Sequence, residues 1–156
     1  GEEDLLLINK NGLRFENISH NLGKDFQEKF VGRGSAVGDY DNDGDLDILV
    51  LNLNNRPRLL RNEGGNNRNW LMIQLVGSKS NRDAIGARVR LKTGDKVQTR
   101  WRVSSSGYLS QSDYRIHFGL DKEEIAEKIE ILWPSGKITN MSDIKVNQFI
   151  KVYEAE

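Results

Sequence analysis

Residues 85 to 103 alternate in a way that leaves little choice of local fold. In Ile85-Gly86-Ala87-Arg88-Val89-Arg90-Leu91-Lys92 the apolar side chains fall on the odd positions, and Arg88, Arg90 and Lys92 lie between them. Thr93-Gly94-Asp95-Lys96 then reads as a tight turn. Beyond it, Val97, Thr99, Trp101 and Val103 share one face, and Gln98, Arg100 and Arg102 the other. A period of two on both arms of a turn specifies an antiparallel pair of strands. The spacing predicts an apolar inner face and an outer ladder of Arg88, Arg90, Lys92, Arg100 and Arg102. Such a ladder is most often solvated, and without acids opposite it repels itself. Trp101 and Trp133 both read as core.

Shorter strand signals run along the rest of the chain. Leu5–Ile8, an Asn9-Lys10-Asn11-Gly12 turn and Leu13–Ile18 read as a hairpin. Further strands are expected at 48 to 53, Trp70–Val76, Tyr114–Phe118, Ile129–Trp133 and Phe149–Tyr153. Residues 19 to 35 read as a polar connection, with a helical turn suggested by Phe26 and Phe30. Asp121–Lys128 reads as one short helix or a turn. Glu63-Gly64-Gly65-Asn66-Asn67-Arg68 is polar and glycine-rich, the pattern of a linker. Many short strands with glycine turns make an all-β sandwich or barrel the expected architecture.

One loop carries a chemical signal. Asp39-Tyr40-Asp41-Asn42-Asp43-Gly44-Asp45-Leu46-Asp47 has the spacing D-x-D-x-D-G-x-x-D. Carboxylates this close repel one another unless a cation joins them. Asp39, Asp41, Asp43, Asp45 and Asp47 are the candidate ligands, with the carbonyl at Asp45 also available. Gly44 permits the sharp turn. Hard oxygens on a flexible loop suit Ca²⁺. An EF-hand would place a bidentate glutamate where Val50 stands, and the following Ile48-Leu49-Val50-Leu51 run is a strand rather than a helix. A catalytic reading fares worse. Alternating aspartates on a tight loop converge on a point, whereas glycoside hydrolysis needs two carboxylates across a gap, one with a raised pKa.

Composition narrows the function classes. The 156 residues carry 23 basic and 23 acidic side chains, a formal net charge of zero. That balance argues against nucleic acid or an anionic membrane as the main partner. There is no cysteine, so thiolate metal sites, cysteine nucleophiles and disulfides are excluded. No apolar run is long enough to span a membrane, and no signal peptide is present. The abrupt start at Gly1-Glu2-Glu3-Asp4 reads as a piece of a longer protein. A weak internal repeat, Leu6-Leu7-Ile8-Asn9 against Leu49-Val50-Leu51-Asn52 or Leu59-Leu60-Arg61-Asn62, suggests propeller blades.

Several motifs together carry a family resemblance. Gly34 to Leu53, with Gly38 to Asp47 as its cation loop, resembles an FG-GAP repeat of the VCBS type. Residues from about 69 to 153 resemble the ASPIC/UnbV domain. The matching motifs are Asn81-Arg82-Asp83-Ala84-Ile85-Gly86-Ala87, Ser106-Gly107-Tyr108-Leu109-Ser110-Gln111-Ser112, His117-Phe118-Gly119-Leu120 and Trp133-Pro134-Ser135-Gly136. The resemblance implies a partial β-propeller repeat over residues 1–66 and a sandwich-like β domain over 67–156. It implies Ca²⁺ on Asp39, Asp41, Asp43, Asp45 and Asp47, and a secreted or cell-surface protein. It implies no settled activity for the C-terminal domain.

The expected function is therefore a non-enzymatic extracellular module with structural Ca²⁺, mediating binding or assembly with a protein or glycan. Exposed strand edges could also pair between chains. A carbohydrate-binding module using Tyr108 and Trp70 is an alternative, and an accessory enzyme of secondary metabolism another. No catalytic residue is assigned. His117 reads as a structural histidine near a sheet edge, and Ser104, Ser105, Ser106, Ser110 and Ser112 lack a nucleophile context. Arg82 and Asp83 read as an ion pair fixing a turn.

Overall fold

The computed structural model describes residues 1–10 and 12–156. Asn11, the centre of the expected first turn, lies outside them. Twelve strands are formed among the described residues, and the only helical segments are three single 3₁₀ turns. The strands are β1 (Leu7–Lys10), β2 (Arg14–Asn17), β3 (Gly32–Gly38), β4 (Asp47–Asn52), β5 (Arg58–Leu60), β6 (Asn69–Val76), β7 (Arg88–Thr93), β8 (Lys96–Trp101), β9 (Ile116–Asp121), β10 (Ile125–Leu132), β11 (Ile138–Lys145) and β12 (Gln148–Tyr153).

They make four sheets: β1-β2, β3-β4-β5, β12-β6-β9 and β11-β10-β7-β8. The last two share one core. Leu71, Ile73 and Leu75 of β6 and Phe118 of β9 meet Val89 and Leu91 of β7 and Ile129 and Ile131 of β10, closed by Trp133. Burial of this apolar surface is the main term holding the two sheets together. β6 is central in its sheet and buried along most of its length, so its run Trp70-Leu71-Met72-Ile73 is continuous rather than alternating. β12 returns parallel to β6, which requires the long crossover through the other sheet.

The β7–β8 hairpin forms as the alternation predicts, pairing Arg88 with Trp101 through Thr93 with Lys96. Its inner face is not the expected one. Directly opposed residues share a face, and Val89 and Leu91 oppose Arg100 and Gln98. Val97, Trp101 and Val103 are consequently exposed, Trp101 at 57%, while Arg102 is buried. The reason is the edge position of β8. Its inner side chains reach β9 rather than the core: Gln98 Nε2 donates to the Gly119 carbonyl at 2.8 Å, and the Arg100 guanidinium lies 5.7 Å from the Phe118 ring centre. Long amphipathic side chains cover apolar surface well in such places. The predicted five-cation ladder is thereby divided between two faces. Acids from β10 relieve its outer part, Glu127 bonding Lys92 at 2.6 Å and Glu130 lying 3.9 Å from Arg88.

Other expectations are corrected. Of the two readings of Asp121–Lys128, the turn forms and the helix does not: Asp121 turns with φ 55°, and β10 begins at Ile125. β3 and β11 were not expected. Gly32-Arg33-Gly34-Ser35-Ala36-Val37-Gly38 has poor strand propensity, and pairing with β4 makes it a strand. Gly34 is needed there because a Cβ would lie 2.5 Å from Ser110 Oγ. Tyr108 and Leu109 project outward at the tip of that crossing loop. Arg82 and Asp83 make no ion pair with one another. Asn81 fixes the turn instead: its Oδ1 accepts from Ile85 N at 2.8 Å and its Nδ2 donates to Ile85 O at 2.9 Å. Asn81→Ala is expected to cost about 1–2 kcal/mol, two lost backbone hydrogen bonds, in chemical denaturation.

The C-terminal end is anchored by one carboxylate. Glu154 is 3% exposed and accepts from the backbone N–H groups of Ser78, Lys79 and Ser80 at 2.9, 2.9 and 2.7 Å, and from the Ser80 and Ser135 hydroxyls. Burial pushes its pKa up, but the Ser135 hydroxyl and the Ser80 and Ser78 donors outweigh it and bring the pKa down from 4.5 to about 2. A depressed carboxylate stabilises the fold above its unfolded pKa and loses that contribution as pH falls through the folded one. Thermal melts of the wild type should lose stability between pH 4.5 and about 2, and Glu154→Gln should lose markedly less over that window.

Candidate metal centre

The aspartate loop leaves β3 at Gly38 and enters β4 at Asp47. Asp39, Asp45 and Asp47 are each 2% exposed, while Asp41 is exposed and Asp43 intermediate. Gly44 has φ 100°, and its Cα packs so closely on the Trp70 indole that no side chain would fit. Asn42, at φ 60°, supplies the other left-handed residue.

The five carboxylates do different things. Ligand oxygens of Asp39, Asp41 and Asp43 lie within 4.8 Å of one another. Asp39 also shapes the turn, accepting from Asp43 N at 3.1 Å and Gly44 N at 3.0 Å. Asp43 Oδ1 accepts from Asp45 N at 3.1 Å, and Asp41 pairs with Arg61 at 3.0 Å. Asp47 ties the loop to its surroundings, accepting from Asn62 N at 2.9 Å and Tyr40 N at 3.3 Å. Asp45 Oδ2 accepts from Gly65 N at 3.0 Å and Asn66 N at 3.3 Å, whereas its buried Oδ1 has no partner. Burial raises the Asp45 pKa, and the neighbouring Asp43 and Asp47 charges push the same way.

The residues expected to form a free linker are part of this site. Gly65–Asn67 forms a 3₁₀ turn whose amides cap Asp45, and Asn66 Nδ2 donates to the Asp43 carbonyl at 3.2 Å. Loop backbone also meets the core sheet. Arg115 donates to the Asp39 carbonyl and to Asn42 Oδ1, both at 2.6 Å. His117, on edge strand β9, has Nε2 3.0 Å from the Gly44 carbonyl. Burial lowers its pKa, which favours the neutral ring donating that N–H. Sequence spacing singled out five aspartates, of which the structure brings Asp39, Asp41 and Asp43 together. Asn62, Asn66, Arg115 and Trp70 were not assigned to the loop, because nothing local links residues this far apart.

The serine-rich segment is occupied internally. Ser105 Oγ donates to the carbonyls of Gly107 and Ser110, and Ser110 Oγ donates to the Tyr108 carbonyl. Trp70 is buried against Gly44 and packs, tilted by 60°, on Phe149 with ring centres 4.9 Å apart, so of the two aromatics considered for sugar contact only Tyr108 is accessible. No helix among the described residues is long and apolar enough to cross a membrane.

Residues 77–156 match the family model described as ASPIC and UnbV. Over 139 residues the chain is 32% identical to cartilage acidic protein 1 of Homo sapiens, covering 85% of this chain and 21% of that protein. Over 116 residues it is 36% identical to cartilage acidic protein 1 of Xenopus tropicalis, covering 71% and 18%. The chain thus spans about a fifth of the length of the curated relatives it matches. With more than half its residues within that family model, the chain belongs to the ASPIC and UnbV family.

Proposed function

We propose that this chain is a non-enzymatic β module that works outside the cell, is stabilised by Ca²⁺, and binds or assembles with a protein or glycan partner. The observation that carries the cation reading is the convergence of the Asp39, Asp41 and Asp43 oxygens within 4.8 Å of one another, in a loop that also leaves the buried Asp45 Oδ1 without a partner. An all-oxygen set with several carboxylates fits a hard cation. Calcium would supply positive charge at the convergence of these carboxylates, of which Asp41 also pairs with Arg61. Asp39, Asp41 and Asp43 would hold it, with Asp45 and Asp47 completing the set as the spacing implies. Asp47 and the amides of Gly65 and Asn66 keep the loop in shape. Residues 34–53 would then be an FG-GAP repeat of the VCBS type, and 1–66 and 67–156 the two structural units.

An extracellular setting is supported by the relatives' name, which places them in cartilage, and by calcium's abundance outside cells. A non-enzymatic role is supported by the engagement of His117 with the Gly44 carbonyl and of Ser105 and Ser110 with backbone. Isothermal titration of the chain with CaCl₂ and MgCl₂ tests the cation reading. One saturable Ca²⁺ site, with Mg²⁺ weaker, is the expected result; no heat from either ion would remove it. Exposed Tyr108 favours glycan contact as a second reading, and a glycan array of the wild type against Tyr108→Ala separates it from protein binding.

A further inference from the structure

Between β8, the start of β9 and the loop before it lies a cleft of about 340 Å³. Its lining includes three arginines, Arg100, Arg102 and Arg115, against one acidic residue, Asp113. Asp113 is already committed. Its Oδ2 accepts from Arg115 Nε at 2.8 Å and Nη2 at 2.5 Å, and its Oδ1 from Arg115 N at 2.9 Å. Arg115 also donates to the aspartate loop, Nη1 to Asn42 Oδ1 and Nη2 to the Asp39 carbonyl. Arg100 meets only neutral acceptors, the Thr99 carbonyl and Gln98 Oε1.

Arg102 is the unusual member. It is 4% exposed, with the Tyr114 ring 4.2 Å from its guanidinium carbon. Its Nη1 donates to the Val103 carbonyl, and its buried Nη2 has no partner. Asp83 and Asp113 act on it only from beyond ion-pairing distance. A guanidinium stays charged at any ordinary pH, and buried charges are normally paired and hydrogen-bonded. Nearby, Ser106 Oγ and Ser112 Oγ are 2.9 Å apart, and Ser112 Oγ accepts from Val37 N at 3.1 Å. If Ser112 donates to Ser106, the Ser106 proton is free for an incoming oxygen.

We propose that this cleft binds an oxyanion group, a carboxylate, sulfate or phosphate, with Arg102 Nη2 as its buried donor and Arg100 and Ser106 at its mouth. Because Nη2 is buried and the Tyr114 ring lies over the guanidinium, that ring must move for an anion's oxygen to reach Nη2. The paired oxygens of all three groups match the forked N–H geometry of arginine. The cleft adjoins the aspartate loop through Arg115, but the proposed donors Arg100, Arg102 and Ser106 make no hydrogen bond to the loop's aspartates.

The test follows backbone amide and arginine Nε–H resonances of the isotopically labelled chain. Sodium acetate, sulfate and phosphate are titrated separately, at ionic strength held constant with NaCl and without added divalent metal. Saturable shifts confined to residues 100–117 are expected in at least one arm, and the arm saturating at the lowest concentration identifies the group. Arg102→Gln should weaken that binding on the order of tenfold or more, the loss of a charged hydrogen bond. Arg90→Gln, on the outer face of β7, should leave it unchanged. Linear, non-saturating shifts with all three anions overturn the proposal, as does wild-type saturation in Arg102→Gln. Should Arg102→Gln fail to fold, Arg100→Gln and Ser106→Ala carry the test, and unchanged saturation in both overturns it.

Discussion

Replacing Gly44 by alanine should destabilise this protein more than any other single methyl addition in the aspartate loop. Two costs coincide at this residue. Its φ of 100° lies where an L side chain is strained, at about 1–2 kcal/mol. The added Cβ would also overlap the indole of Trp70, which is held in place by Phe149 and by its own position in β6. Forcing a methyl group into a packed site costs about 1–3 kcal/mol. The expected sum is about 2–5 kcal/mol in urea denaturation, with Trp70 fluorescence altered in the folded state. The displacement would also pull the Gly44 carbonyl away from His117 and the Gly44 amide away from Asp39. Loss of stability below 0.5 kcal/mol would show that Trp70 moves aside freely and does not fix the loop.

The second large effect concerns the loop's charge. At a Ca²⁺ concentration one hundred times its dissociation constant, binding to the folded state alone adds about 2.7 kcal/mol of stability. Asp43→Asn removes one negative ligand from the convergent set while keeping an oxygen to accept from Asp45 N. Calcium affinity should fall on the order of tenfold, because ligand charge count sets the strength of such sites. Without calcium the same substitution should be neutral or mildly stabilising, since it relieves repulsion from Asp39 and Asp45. A variant that binds Ca²⁺ as the wild type does would take Asp43 out of the ligand set.

Much of the architecture is legible in the chain. Alternation located β7 and β8 with their turn, and apolar runs located β4, β6 and β12. For these segments strand identity is legible locally; which face is buried is not. Trp101 was assigned to the core from its apolar neighbours, yet β8 lies at an edge, and its inner positions are filled by Gln98 and Arg100 reaching toward β9. β3 was missed for the opposite reason. Three glycines in seven residues carry no strand signal, and only the β4 partner and the Ser110 crossing account for them.

The candidate site was legible in its aspartates and not in its frame. Periodic spacing brings Asp39, Asp41 and Asp43 together because a tight loop turns alternate side chains to one point. Asp45 and Asp47 hold their neighbours' backbone through residues 62, 65 and 66, a segment whose composition reads as a plain linker. Glycine and asparagine serve there as close-approaching amide donors, which composition alone cannot distinguish from flexibility. Trp70 of β6 and Arg115, just before β9, join the loop from far along the chain.

Scanning calorimetry of the wild-type chain in EDTA and in rising CaCl₂ tests the structural role of calcium most directly. The melting temperature should climb with calcium concentration, steadily in its logarithm once the site is filled, and the rise should vanish in a chain carrying Asp39→Asn, Asp41→Asn and Asp43→Asn together. Superimposable melts in EDTA and in millimolar calcium would contradict it.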